Sequence, residues 1–191
     1  LDPLATGVLV ICTGHATKAI GSLQSVNKSY SATIRLGAKT PCLDAELPVS
    51  KWIDTRHIDP KTVFAAAAKQ TGTIEQIPPL YSAKKVKGQK AYAVARKGGE
   101  IKLQPATVYI SKFDINAMVA NEIEGHAVID AFTEIDCSKG TYIRAIARDL
   151  GETLGVGGHL IDLRRTKCGE FGINQCRSLD DLLSAIESTP I

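Results

Sequence analysis

Aromatic residues make up only 5% of the chain, Trp and Met occur once each, and the formal charge is a near-balanced +3. A charge this small does not by itself name a partner. No apolar run approaches the roughly 18 residues of a membrane helix, so a helical span is excluded and no membrane partner is expected. Cys12, Cys42, Cys137, Cys168 and Cys176 are odd in number, and no two stand in a Cys-x-x-Cys spacing. That argues against a disulfide framework and a zinc knuckle. His15, His57, His126 and His159 are scattered singly, away from any cysteine at ligand spacing. There is no Walker loop and no dinucleotide glycine pattern. The expectation is therefore no cofactor, no metal, reduced thiols and a cytoplasmic setting. The sequon Asn27-Lys28-Ser29 carries no weight in such a compartment. Internal repeats and low-complexity tracts are also lacking.

What remains is an ordinary globular composition, 44% hydrophobic and 23% charged over 191 residues, long enough for one domain with a sizeable core. Thr6 to Thr13 is rich in Val and Ile and predicts a buried strand. Ala16 to Val26 predicts a short helix. From Ser29 the alternation is strict, with Tyr30, Ala32, Ile34 and Leu36 opposed to Ser31, Thr33 and Arg35, which predicts a half-buried strand closed by Gly37. Asp59-Pro60 supplies an N-cap and a first-turn proline for a helix running towards Gly72. Strand signals return over Val108 to Ile115 and from Ala127 to Ile135.

After Gly140 the apolar period lengthens to 3.6, and Ile143, Ile146, Ala147, Leu150 and Leu154 form one helical stripe. Ser178 and Asp181 make a capping box for a last helix through Leu182, Leu183 and Ile186. The order of elements predicts one mixed α/β or α+β domain, with no linker dense enough to split it.

The charge is unevenly distributed. Between Tyr81 and Lys102 stand Lys84, Lys85, Lys87, Lys90, Arg96, Lys97 and Lys102 against Glu100 alone, so this stretch carries +6 and the rest of the +3 chain carries −3. Tyr81 and Tyr92 are interleaved with the cations. Basic charge with aromatic faces suits a phosphate backbone and accessible bases. A solvated loop that keeps the protein soluble has the same composition. Lys139, Arg144, Arg148, Arg164, Arg165 and Lys167 form a second basic group. Arg144 falls in the first turn of the helix after Gly140, where the helix dipole disfavours a cation. Pairing with a carboxylate or phosphate would account for it, as would a surface arginine reaching a nearby acid.

Five ordered segments carry a resemblance. Leu1-Asp2-Pro3-Leu4-Ala5-Thr6-Gly7-Val8-Leu9 resembles the end of the Gly-Thr-Leu-Asp-Pro-x-Ala-x-Gly-Val-Leu motif of the bacterial tRNA pseudouridine-55 synthases, the TruB family. Lys28-Ser29-Tyr30 resembles that family's Lys-x-Tyr strand, and Ile77-Pro78-Pro79-Leu80-Tyr81-Ser82-Ala83 the opening of its RNA-gripping thumb, about 77–103. Gly140-Thr141-Tyr142-Ile143-Arg144 is similar to its arginine motif, and His159-Leu160-Ile161-Asp162-Leu163-Arg164-Arg165 to its last active-site segment.

The resemblance implies a mixed, largely antiparallel sheet flanked by helices and loops, the pseudouridine synthase fold. It implies an isomerase that flips a uridine out of the T arm of tRNA and rejoins the base to the ribose through carbon. Asp2 would be the nucleophile, Arg144 its partner, and Tyr30 the residue that stacks on the uracil and helps move its C5 proton. Tyr142 and Leu163 would line the pocket, while Lys84, Lys85, Lys87, Arg164 and Arg165 would bind the substrate RNA. Read without the resemblance, Asp2 is a turn or N-cap residue before proline, and Tyr30, Tyr142 and Leu163 are ordinary packing positions.

The chain starts at Leu1, after the family's motif has begun, and stops at Ile191. The expectation is a catalytic domain lacking its N-terminal strand, the motif's histidine and a C-terminal RNA-binding domain, working as a monomer. A tRNA-folding factor and the catalytic subunit of guide-RNA ribonucleoproteins are the rival readings.

Overall fold

The alternating segment behind Lys28 is the centre of the molecule. The computed structural model describes residues 2–86, 88–96, 99 and 102–188. In chain order its elements are β1 (Thr6–Gly7), a 3-10 segment (Gly14–Ala19), α1 (Ile20–Gln24), β2 (Lys28–Leu36), β3 (Ala38–Lys39), β4 (Lys51–Trp52), α2 (Pro60–Ala68) and β5 (Gly72–Gln76). There follow β6 (Lys85–Val86), β7 (Gln89–Lys90), α3 (Ala91–Ala95), β8 (Ala106–Ile123), β9 (His126–Cys137), α4 (Ile143–Thr153), β10 (Gly158–Cys168), β11 (Phe171–Gly172), a 3-10 turn (Ile173–Gln175) and α5 (Leu179–Glu187).

The main sheet has seven strands in the order β1-β10-β2-β9-β8-β5, with β11 added to β10. Only β1 and β10 run parallel; the other pairings in this sheet are antiparallel. The mixed, largely antiparallel sheet flanked by helices is therefore as expected.

One face of β2 buries Ala32, Ile34 and Leu36 in the core, with Tyr30 packed at its margin. Helix α4 covers β10 and β2, and α2 covers β8. Their buried stripes, Val63, Ala66 and Ala67 from α2 and Ile143, Ile146, Ala147 and Leu150 from α4, meet the sheet residues Ile110, Ile135 and Leu160. Each large aliphatic side chain removed from water in this way stabilises the fold by about 1.5–3 kcal/mol. Helix α4 can lie this close to the start of β10 because Gly151 has no side chain; a Cβ there would come within 2.0 Å of the Gly157 carbonyl carbon. On the opposite face of β2, Arg35 Nε and Nη2 donate to Asp130 Oδ1 and Oδ2 at 2.8 Å each, and Asn121 donates to Oδ2 at 2.8 Å.

Local chemistry fixes the helix starts as the sequence implies. Asp59 Oδ1 accepts from Lys61 N at 2.9 Å with Pro60 in the first turn. Ser178 Oγ accepts from Asp181 N at 3.1 Å, and Asp181 Oδ2 accepts from Ser178 N at 3.3 Å.

Three segments differ from the sequence expectation. The strand expected over Thr6 to Thr13 pairs with β10 only at Thr6 and Gly7. Beyond Val8 the chain leaves the edge, with Leu9 63% and Ile11 69% exposed, because an apolar run forms a strand only where a neighbour accepts its backbone bonds. The strand expected over Val108 to Ile115 instead continues to Ile123, through register shifts at Ile110/Lys112 and Ile115/Ala117 that break the alternation. Glu124 (φ 51°) and Gly125 (φ 78°) then turn the chain into β9, both in the left-handed region that a two-residue type I′ hairpin needs. The segment expected to form a helix over Ala16 to Val26 is a 3-10 turn followed by the short, exposed α1.

Candidate active site

The pairing of β1 with β10 fixes the start of the chain along one edge of the sheet. Gly7, at φ 98°, lies so close to β10 that a Cβ there would stand 2.1 Å from the Arg165 carbonyl oxygen. Val8 N donates to that same oxygen at 2.8 Å, and Arg165 Nε donates back to the Val8 carbonyl at 2.8 Å. Ahead of β1, Ala5 N donates to the Asp2 carbonyl at 2.9 Å, so Asp2-Pro3 is a turn. The turn directs the Asp2 carboxylate at Arg144, 142 residues away.

Arg144 is 7% exposed, and its guanidinium meets groups from three other segments. Nη2 donates to Asp2 Oδ1 at 2.9 Å and to the Tyr81 carbonyl at 2.9 Å. Nη1 donates to the Cys42 carbonyl at 2.9 Å and lies 3.3 Å from Asp44 Oδ2. Nε is 2.9 Å from Asp2 Oδ2, but its N–H has no hydrogen-bond partner. One aligned hydrogen bond and Coulombic attraction therefore hold the Asp2 carboxylate, which stays 37% exposed while Asp44 is 8% exposed. The first-turn cation on α4 is thus offset by two carboxylates rather than by the helix.

Asp44 sits in a loop shaped by Leu43 (φ 66°), by the Thr40 hydroxyl donating to the Asp44 carbonyl at 2.7 Å, and by Glu46 N donating to Asp44 Oδ1 at 3.0 Å. Cys42, in the same loop, is fully buried, and burial pushes its thiol pKa up.

Around this centre lies a cleft of about 620 Å³, a volume suited to a single small ligand. Asp2, Tyr30, Tyr142, Arg144, Leu163 and Arg165 all line it. Tyr30 and Arg165 are register partners on β2 and β10, and Ala32 pairs with Leu163, so those side chains share one face. Burial raises the Tyr30 phenol above its ordinary value, with Cys137 adding to the shift and Arg165 opposing it.

Lys84 and Lys85 stand outside this cleft, on the basic stretch that follows Tyr81. Lys84 Nζ donates to the Gln104 carbonyl at 3.4 Å, and Lys85 is exposed at the β6–β7 hairpin. Arg164 alternates to the other face of β10 from Leu163 and Arg165 and is exposed. Lys87, together with Lys97, Gly98 and Glu100 of the basic stretch, lies outside the described residues.

The cleft also holds residues that sequence reasoning did not single out. Asp44, Glu46, Ser82 and Arg96 line it. The Ser82 hydroxyl is buried without a hydrogen-bond partner. Arg96 reaches Glu46 at 3.5 Å across the opening and lies 5.7 Å from the Tyr92 ring centroid. Arg96 belongs to the basic stretch and Ser82 to the quoted segment Ile77 to Ala83, neither with a role of its own there; nothing in one sequence marks Asp44. Among the described residues there is no group of three or more His, Cys, Asp or Glu side chains that could hold a metal ion, and no helix long and apolar enough to cross a membrane.

The site is thus a carboxylate steadied by a buried guanidinium, open to a cleft on a largely antiparallel mixed sheet. A chain of a crystallised Cbf5-Nop10-Gar1 complex superimposes with a TM-score of 0.64 at 25% identity, over 96% of this chain and 43% of that one. The chain belongs to the TruB family of pseudouridylate synthases: the family model for the N-terminal domain matches residues 1–143, and that for the tRNA pseudouridylate synthase B C-terminal domain matches 144–189. The boundary between the two matches falls inside the first turn of α4, whose stripe packs on the common sheet.

Similar curated proteins are the tRNA pseudouridine synthase B of Mycolicibacterium paratuberculosis, 47% identical over 95% of this chain and 61% of the relative, and that of Mycobacteroides abscessus, 50% identical over 95% and 60%. The tRNA pseudouridine synthase B of Mycobacterium tuberculosis is 48% identical over 95% and 60%. The chain thus spans about three-fifths of the length of these relatives.

Proposed function

We propose that the protein isomerises a uridine of tRNA to pseudouridine, at position 55 in the T arm, with Asp2 as the nucleophile. The observation that carries this reading is the half-exposed Asp2 carboxylate at 2.9 Å from the buried Arg144 guanidinium. A neighbouring guanidinium favours the ionised carboxylate and fixes its direction, as a nucleophile requires. The names of the similar curated proteins support tRNA as the substrate.

In the proposed reaction the bond between N1 and C1′ breaks while Asp2 holds the ring or the ribose. The base then turns and a bond forms between C5 and C1′. A proton leaves C5 and one is gained at N1, so the composition is unchanged and the chemistry calls for no oxidant, cofactor or metal. Tyr30 stacks on the uracil and helps move its C5 proton. Tyr142 and Leu163 form the pocket walls. Unstacking a base costs a few kcal/mol, and these aromatic and apolar surfaces offset part of that cost.

Lys84, Lys85, Lys87, Arg164 and Arg165 are the proposed contacts to RNA phosphates and sugars, and the segment about 77–103 is the thumb that closes on the T arm. The proposed working form is a monomer acting in the cytoplasm on tRNA without a guide RNA. Mass-spectrometric mapping of pseudouridine in a tRNA transcript incubated with the purified protein and with Asp2→Asn tests the reading. Product from the wild type alone is expected, and equal product from both would overturn the role of Asp2.

A further inference from the structure

Gln76 is the last residue of β5 and only 1% exposed. Both ends of its side-chain amide engage the backbone of one residue, Tyr142, 66 positions away. Nε2 donates to the Tyr142 carbonyl at 3.2 Å, and Oε1 accepts from the Tyr142 amide at 2.8 Å. A primary amide facing a backbone residue in this way uses a donor and an acceptor at once, which fixes both separation and orientation.

Helix α4 does not require this clamp. The Tyr142 carbonyl already accepts from Ala145 N at 3.0 Å and Ile146 N at 3.2 Å, the first bonds of the helix. Tyr142, the N-cap of α4, makes no side-chain cap hydrogen bond that would hold it in place. The bonds to Gln76 therefore add location rather than helicity: they tie the residue that opens α4 to the root of the thumb, which begins at Ile77. Arg148 repeats the tie nearly two turns further along α4, where its Nη2 donates to the Ile77 carbonyl at 2.9 Å. Arg144 is anchored by four partners of its own, whereas the position of the Tyr142 side chain on the cleft wall follows from its backbone.

We propose that Gln76 is a positioning residue for the reaction, which holds Tyr142 at the cleft wall and so acts on the isomerisation step rather than on affinity for RNA. The inference rests on the reading of the cleft as a uridine site. A displacement of about 1 Å at such a wall can cost about 100-fold in rate.

The test is single-turnover pseudouridine formation on an unmodified tRNA transcript with enzyme in excess, alongside the tRNA dissociation constant from filter binding. The proteins are wild type, Gln76→Met, Gln76→Glu, Tyr142→Ala and the double variant Gln76→Met/Tyr142→Ala. Gln76→Met is expected to lower the single-turnover rate constant by about 10- to 100-fold, with the dissociation constant within about threefold of wild type. Gln76→Glu keeps an acceptor for the Tyr142 amide and is expected to lose less. In the Tyr142→Ala background, Gln76→Met should cost nothing further, because both changes act through the same side chain.

A wild-type rate for Gln76→Met, or losses that multiply in the double variant, would overturn the proposal. So would loss of the folded state in both Gln76 variants, since Gln76 would then serve stability. A wild-type protein that forms no pseudouridine would defeat the uridine-site reading and this inference together. An active wild type with an indifferent Gln76 would defeat only the inference.

Discussion

Arg144 Nη2 lies 2.9 Å from Asp2 Oδ1 and 2.9 Å from the Tyr81 carbonyl, so one nitrogen joins the N-terminal turn to the start of the basic stretch. The same guanidinium reaches the 42–44 loop through the Cys42 carbonyl and Asp44. Three segments distant in sequence thus converge on a single side chain that the first turn of α4 holds in place. Removing the guanidinium leaves a buried carboxylate without its countercharge, which costs more than the original pair contributed.

Arg144→Gln is accordingly expected to destabilise the protein by about 3–5 kcal/mol, as loss of one member of a buried ion pair does. Urea unfolding measures this directly. A loss below about 1 kcal/mol would place the Arg144–Asp44 contact with ordinary surface pairs.

Gly7→Ala tests how the Asp2 turn is delivered. The added Cβ would meet the Arg165 carbonyl at 2.1 Å, from a backbone at φ 98°. The strain alone amounts to about 1–3 kcal/mol, and relief requires β1 to move off β10. Thermal unfolding should show a lowered midpoint, and turnover should fall further than the folded fraction accounts for. Unchanged turnover would separate the β1–β10 register from placement of Asp2.

His159 makes stability depend on pH. Its ring is 2% exposed, with Nδ1 at 3.2 Å from the Ala38 carbonyl, and burial lowers its pKa below the ordinary 6.5. As pH falls through about 6.5 the unfolded chain binds the proton first, so stability drops and goes on dropping until the folded pKa is passed. Unfolding free energies between about pH 7.5 and about pH 5 should decline less steeply in His159→Gln than in the wild type. Equal slopes would contradict this assignment.

Lys85→Ala, at the exposed β6–β7 hairpin, should weaken tRNA binding without changing the single-turnover rate at saturation. The slope of log affinity against log salt should shrink by about 1 if Lys85 contacts one phosphate. A salt dependence identical to wild type would remove Lys85 from the proposed RNA path.

Legibility in the sequence followed periodicity and local chemistry. The alternation around Tyr30 survives because β2 is central and buries one face completely, and the stripe from Ile143 to Leu150 survives because α4 packs on that face. Arg144 stood out because a cation in a first turn needs a partner, and Asp2 stood out through its motif. Asp44 was not legible: its place depends on a loop with Leu43 at φ 66° and on Arg144, 100 positions away in the chain. Gln76 closes a short edge strand and reveals its role only through a contact 66 residues distant. The length of β8 was hidden by two register shifts, and the shortness of β1 by an apolar run that finds no further partner.

The most direct test of the central claim is pseudouridine mapping by mass spectrometry in tRNA from cells that lack the gene, complemented with the wild-type gene or with its Asp2→Asn variant. The T-arm pseudouridine is expected to disappear on deletion, to return with the wild type and to stay absent with Asp2→Asn, although the variant protein still binds tRNA. Restoration of the modification by Asp2→Asn would contradict the central claim.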